Sequence, residues 1–176
     1  RGDAWPVDER LLSRPLGPTD AVLFDMDGTL LFLPVDIDGL RKRLEDYHRQ
    51  FGLEIAFRPL TDDLARAAAA LREALPPAEA KAAITWARKC VSDAEVEAAA
   101  QVRPRAGAVE ALLELQRRGV HVAVVSNNTR RGIRAGLQGV GIDSDGLESL
   151  VSREDVPSPK PAPDAIERAG RELTLE

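Results

Sequence analysis

The spacing of apolar and polar positions changes character along the chain, and each change predicts a different element. Ala21-Val22-Leu23-Phe24 is an unbroken apolar run, β-branched or aromatic at Val22 and Phe24, and predicts a short buried strand. From Pro34 the rhythm becomes helical. Ile37, Leu40, Leu44, Tyr47 and Phe51 recur at spacings of three and four, and Gly52 is a plausible stop. Thr61-Asp62-Asp63 opens a second helix through an alanine-rich run to Leu75, and Pro76-Pro77 closes it and opens the next. That next helix carries Ile84, Trp86 and Val91, and Trp86 and Tyr47 are expected in the helical core. Ser92-Asp93-Ala94-Glu95 has the pattern of a capping box and predicts a last short helix. Residues 36–101 therefore read as a small all-helical block.

After Pro104 and Gly107 the pattern changes again. Val109, Leu112 and Leu113 form the apolar stripe of a helix ended by Gly119. Val120 to Val125 is the strongest strand in the sequence, and its one polar residue, His121, is expected to be packed or exposed rather than a ligand. A glycine-interrupted helix follows from Arg130 to about Val140, then a short strand at Leu150-Val151, a Pro-rich loop over 154–163, and a helix from Asp164 onward. Strands alternating with helices predict a parallel α/β sheet. Residues 1–20, with Pro6, Pro15, Gly17 and Pro18, read as an irregular lead-in, pinned by Trp5, Leu11 and Leu12.

Composition narrows the function classes. A chain of 176 residues can bury one core or a core with a modest insertion, and its net charge of −5 argues against nucleic acid as a partner. A bound phosphate would instead need a local basic pocket. Arg103, Arg105, Arg117, Arg118, Arg130, Arg131 and Arg134 cluster in the middle of the chain, although most such arginines line solvated helix faces. Cys90 is the only cysteine, so no intrachain disulfide forms, which fits a cytoplasmic setting. No apolar run approaches membrane-spanning length.

Chemistry concentrates where predicted strands end. Asp25 and Asp27 follow the first strand at a spacing that lets both carboxylates converge on one small volume, with Gly28 next. Open parallel sheets bind ligands at that edge, but an Asp-Gly pair alone is more often a turn. Ser126-Asn127 follows the strongest strand, where the hydroxyl, the amide and the N–H groups of the next helix can all donate to an anion; an N-cap cluster looks the same. Lys160 stands between prolines after the third strand, and a lone lysine in such a loop is usually just exposed.

Taken together and in this order, Asp25-Met26-Asp27-Gly28-Thr29, Ser126 and Lys160-Pro161-Ala162-Pro163-Asp164 resemble the first three motifs of the haloacid dehalogenase-like superfamily of phosphotransferases. The helical block resembles the type-one cap of its phosphoglycolate phosphatase and β-phosphoglucomutase branch. The resemblance implies a Rossmann-like α/β core over 21–35 and 102–176 with a movable helical cap over 36–101. It also implies a magnesium-dependent phosphatase of a small phosphorylated metabolite, with a sugar-phosphate mutase or a non-catalytic binding domain as alternatives. Asp25 would be the nucleophile and Asp27 the acid and base. Ser126 and Asn127 would bind the phosphoryl oxygens beside Lys160. Mg²⁺ would be held by the Asp25 carboxylate and the Asp27 main-chain carbonyl. The superfamily's fourth motif, a further strand ending in acids, has no counterpart before Glu176, so the chain is expected to be an incomplete domain with β-edge residues Val22 to Phe24 unpaired on one side.

Overall fold

A computed structural model describes residues 21–173; the lead-in expected over residues 1–20, with Trp5, Leu11 and Leu12, lies outside the described residues. In chain order come β1 (Ala21–Phe24), β2 (Leu31–Phe32), α1 (Ile37–Arg49), α2 (Leu60–Ala74) and α3 (Pro77–Ala98). They are followed by β3 (Arg103–Pro104), α4 (Ala108–Arg117), β4 (His121–Val125), α5 (Arg130–Gly139), β5 (Ser149–Val151) and α6 (Asp164–Glu172). No described helix is long and apolar enough to cross a membrane.

The apolar runs of β1 and β4 make sense once both sheet faces are covered. β4 lies in the middle of a parallel sheet of order β1-β4-β5, with Val22 opposite Val122 and Val124 opposite Leu150. Its side chains alternate between two layers. Val122 and Val124 pack with Leu112 of α4 and with Ile133 and Leu137 of α5. Ala123 and Val125 pack with Ala165 and Ala169 of α6. The fold is thus a three-layer α/β domain, and among the described residues β1 has a strand on one side only.

Residues 37–101 carry helices alone and build their own cores, one around Leu40, Leu44, Phe57 and Val91 and another around Leu71 and Ile84. The chain leaves and re-enters the sheet domain through β2 and β3, which pair antiparallel, Leu31 opposite Pro104. Strands this short carry no periodic signal, and the sequence gives no sign of them.

Two expectations for the helical unit need correction. Ser92 to Glu95 do not cap a separate helix: α3 runs unbroken to Ala98, and both Ser92 and Glu95 are buried within it. Their polar atoms find partners on the sheet domain instead. Trp86 is not core either. It is 38% exposed and stacks on Tyr47, ring centroids 3.7 Å apart, on the outer face of the helical unit.

Candidate active site

Each predicted site residue stands just past the carboxyl end of a parallel strand. Asp25 follows Phe24, where β1 ends; Ser126 follows Val125, where β4 ends; Lys160 lies on the loop after β5. The turn after Asp27 depends on Gly28, whose φ of +82° lies in the left-handed region that side chains with a Cβ disfavour. That turn lets the N–H of Gly28 donate to the carbonyl of Leu31 at 2.7 Å and the N–H of Leu33 donate to Asp27 Oδ1 at 3.0 Å. One Asp27 oxygen is therefore engaged in holding the carboxylate, and the other faces no partner among the described residues.

The structure brings Asp25 and Lys160 together across 135 positions of sequence: Nζ donates to Asp25 Oδ1 at 2.6 Å. The same ammonium donates to the carbonyl of Val125 at 2.9 Å. Asp25 keeps an exposed carboxylate, its side chain 45% accessible. A solvent-facing anion with one oxygen tethered to a cation has the other available for an incoming group.

Asn127 works on the loop rather than on open space. Its Nδ2 donates to the carbonyl of Lys160 at 2.8 Å, and its Oδ1 accepts from the N–H of Lys160 at 3.0 Å. Both ends of the amide are engaged, so it clamps the lysine's main chain. The Ser126 hydroxyl is buried and donates to Asn128 Oδ1 at 2.9 Å. It must turn from that partner to meet an anion.

The start of α5 also departs from expectation. Thr129 caps the helix, its hydroxyl accepting from the N–H of Gly132 at 3.1 Å. Carboxylates already hold the first N–H groups: Glu95 takes that of Thr129 at 2.8 Å, and Glu154 takes that of Arg130 at 2.9 Å. These helix-terminal donors are not available to a substrate phosphate.

Glu95 is the residue that sequence reasoning missed. It reaches from α3 onto the sheet domain, also accepts from the Thr129 hydroxyl, and pairs with Arg153 at 3.3 Å. Arg153 in turn donates to the carbonyl of Asn127 at 3.1 Å. Close approach of the two helices requires Gly132, because a Cβ there would come within 2.7 Å of Glu95 Cβ. A chain of contacts thus runs from the helical unit through Arg153 to the loop that clamps Lys160. Burial raises the Glu95 pKa, opposed by the charge of Arg153 and the bonds from Thr129.

Stability measurements check this junction. Removing one partner of a buried ion pair strands the other, so Glu95→Ala is expected to lower unfolding free energy by about 3 kcal/mol. Glu95→Gln keeps the acceptor for Thr129 and is expected to lose about 1 kcal/mol. A folded-state pKa above the ordinary glutamate value means that the native state binds this proton more tightly than the unfolded chain does. The stability advantage of wild type over Glu95→Gln is then greatest below the unfolded pKa and shrinks as pH rises through the folded one. Urea unfolding of both proteins across that window tests the sign.

Asp155 is already engaged by its neighbours. Burial would raise its pKa, but the Ser152 hydroxyl and the Arg130 guanidinium at 2.7 Å together hold it below the usual carboxylate range. Among the described residues no three histidine, cysteine or acidic side chains gather to hold a metal ion.

A cleft of about 430 Å³ opens between the helical unit and the sheet domain. His48, Leu64, Leu71 and Arg88 line it on the helical side, and Pro159 and Lys160 on the other. It has the size and mixed lining of a small-molecule site, and the lysine that holds Asp25 is part of that lining.

Comparison with known proteins agrees with this geometry. Among solved structures, CbbY from Rhodobacter sphaeroides in complex with phosphate is 19% identical over 90% of this chain and 74% of its own, TM-score 0.58. A hydrolase from Pseudomonas syringae is 20% identical over 90% and 72%, TM-score 0.60. A predicted phosphoglycolate phosphatase from Haemophilus somnus 129PT is 20% identical over 89% and 72%, TM-score 0.54. At such identities the likeness speaks for the fold. No curated protein sequence matches the chain. The sequence model of the haloacid dehalogenase-like hydrolases matches residues 19–176, which spans every strand and helix described above, and the chain belongs to that family.

Proposed function

We infer that this protein hydrolyses a small phosphomonoester through a phosphate ester on Asp25. The observation that carries the reading is the Asp25–Lys160 pair at 2.6 Å, an exposed carboxylate beside a cation that itself lines a cleft of about 430 Å³. Residues 36–101 serve as the cap over this site, and the leaving group occupies the cleft beneath it.

The chemistry follows from the residues. The second oxygen of Asp25 attacks phosphorus, forming an Asp25–phosphorus bond as the bond to the leaving alcohol breaks. Asp27 in its acid form gives its proton to the departing alkoxide. As a carboxylate it then takes a proton from water, which attacks phosphorus and releases inorganic phosphate and Asp25. The bond from the Leu33 N–H fixes the Asp27 carboxyl and leaves one oxygen to carry that proton. Lys160 lowers the repulsion between an anionic nucleophile and an anionic substrate.

The donors near Asp25 suit a hard cation. Its accessible carboxylate and the Asp27 carbonyl are both oxygen ligands, and Mg²⁺ commonly takes one or two such groups with the remainder from substrate phosphate and water. When bound there, Mg²⁺ would neutralise charge between carboxylate and phosphate.

Phosphate release from aryl and alkyl phosphates tests the reading, and free phosphate rather than phosphate moved to another hydroxyl separates hydrolysis from a mutase reaction. Asp27→Asn is expected to lower kcat/KM on an alkyl phosphate by about 1000-fold, but by only about tenfold on p-nitrophenyl phosphate, whose leaving group departs without a proton. Equal losses on both would remove Asp27 from the acid's role.

A further inference from the structure

Arg153 stands two residues past β5 and takes hold of the chain where the sheet lets go of it. The ladder between β4 and β5 closes with the Ser126 N–H donating to the carbonyl of Val151 at 2.9 Å. Beyond it the carbonyls of Asn127 and Asn128 need other donors. Arg153 supplies both: Nη1 donates to the Asn127 carbonyl at 3.1 Å, and its main-chain N–H to the Asn128 carbonyl at 3.3 Å. One residue thus fixes two successive peptide groups of the loop that carries Asn127.

The guanidinium is itself held. Nη1 carries two N–H groups, and Glu95 Oε1 lies 3.3 Å from this nitrogen. The other Glu95 oxygen is engaged by the N–H and the hydroxyl of Thr129, so the carboxylate is not free to swing. The two side chains are only 14% and 6% accessible, and a pair so sheltered is little screened by salt. Asn127 therefore sits between two fixed groups. Its carbonyl rests on Arg153, and its amide bonds both the N–H and the carbonyl of Lys160.

We propose that Arg153 is a positioning residue: by fixing the Asn127 peptide it aims the Asn127 amide at the main chain of Lys160, and so keeps Nζ on Asp25. The guanidinium acts at a distance, since its own bonds go to neither Asp25 nor Lys160. What it does for turnover rests on the phosphatase reading above; what it does to the place of Lys160 does not.

Kinetics and a spectroscopic readout of the lysine test the two parts. Arg153→Met keeps a long side chain without the donors and is expected to lower kcat/KM by about tenfold, through misplacement of the ammonium. In an Asn127→Ala background the same change is expected to cost less than about twofold, because the link it acts through is gone. Arg153→Lys, whose ammonium can serve one carbonyl and one carboxylate, is expected to restore activity to within about threefold of wild type. The ¹⁵Nζ resonance of Lys160, assigned by its loss in Lys160→Ala, reports the lysine without turnover. It is expected to move in Arg153→Met in the same direction as in Asn127→Ala. Lower stability with kcat/KM and resonance unchanged means that Arg153 serves only the fold, and overturns the proposal. Arg153 also lines the cleft, and direct contact with substrate would give equal losses with and without Asn127 and a resonance that stays in place, which overturns it too. If Arg153→Met does not fold, Glu95→Gln with Arg153→Met leaves no stranded carboxylate and takes its place in both measurements. Failure of that pair to fold assigns Arg153 to stability and overturns the proposal. A protein that hydrolyses no phosphomonoester while the resonance moves overturns the phosphatase reading and leaves Arg153 as the residue that places Lys160.

Discussion

Asp25→Asn is expected to abolish phosphate release, by at least about 1000-fold in kcat, with the fold intact. Asparagine has the same shape and its Oδ1 can still accept from Lys160 Nζ, so the loop after β5 keeps its tether. What disappears is the anionic oxygen that forms the bond to phosphorus. Among the described residues Lys160 pairs with no other carboxylate, so no second anion stands in its place. Stability should change little, within about 1 kcal/mol, because the Asp25 side chain is 45% accessible and an ion pair so exposed is screened by water. Steady-state phosphate release and thermal unfolding, measured on the same preparation, check both halves. Activity within tenfold of wild type would exclude a covalent role for Asp25.

The parts of this molecule that were legible in the sequence are those with local causes. β1 and β4 are apolar because both faces of the sheet are covered, so each announces itself as an uninterrupted run. Asp25 and Ser126 follow such strands and Lys160 lies on the loop after β5, and the strand ends of a parallel sheet converge by geometry alone. The contacts that join the helical unit to the sheet had no local signature. Glu95 meets Thr129 across 34 positions, and the Ser92-to-Glu95 pattern that suggests a cap is, from the sequence, indistinguishable from two polar residues on the buried face of a longer helix. Partners in another element decided between them. The role of Asn127 was hidden for the same reason. Its amide type suits an anion, but the main chain of Lys160 arrives first.

That clamp leads to the second large effect. Lys160→Ala removes the cation beside Asp25 and is expected to lower kcat/KM by about 1000-fold, since nothing else among the described residues pairs with that carboxylate. Asn127→Ala leaves the ammonium in the chain but releases the two bonds that fix its main chain, so Nζ samples positions away from Asp25 and Val125. A loss of about 30-fold is expected, because a misplacement of about 1 Å in a positioned group costs on the order of that or more. If Asn127 acts only by placing the lysine, it has nothing left to do once the side chain is gone. The Asn127→Ala, Lys160→Ala double variant should then be no slower than Lys160→Ala alone, which makes the two losses strongly non-additive. If Asn127 binds the phosphoryl group directly, its loss is independent, and the double variant falls a further 30-fold or so. Measuring kcat/KM for the three variants, with inhibition by inorganic phosphate as a separate readout of anion binding, distinguishes these outcomes. Additive losses, together with weaker phosphate inhibition in Asn127→Ala, would return Asn127 to the phosphate site and make its bonds to Lys160 incidental.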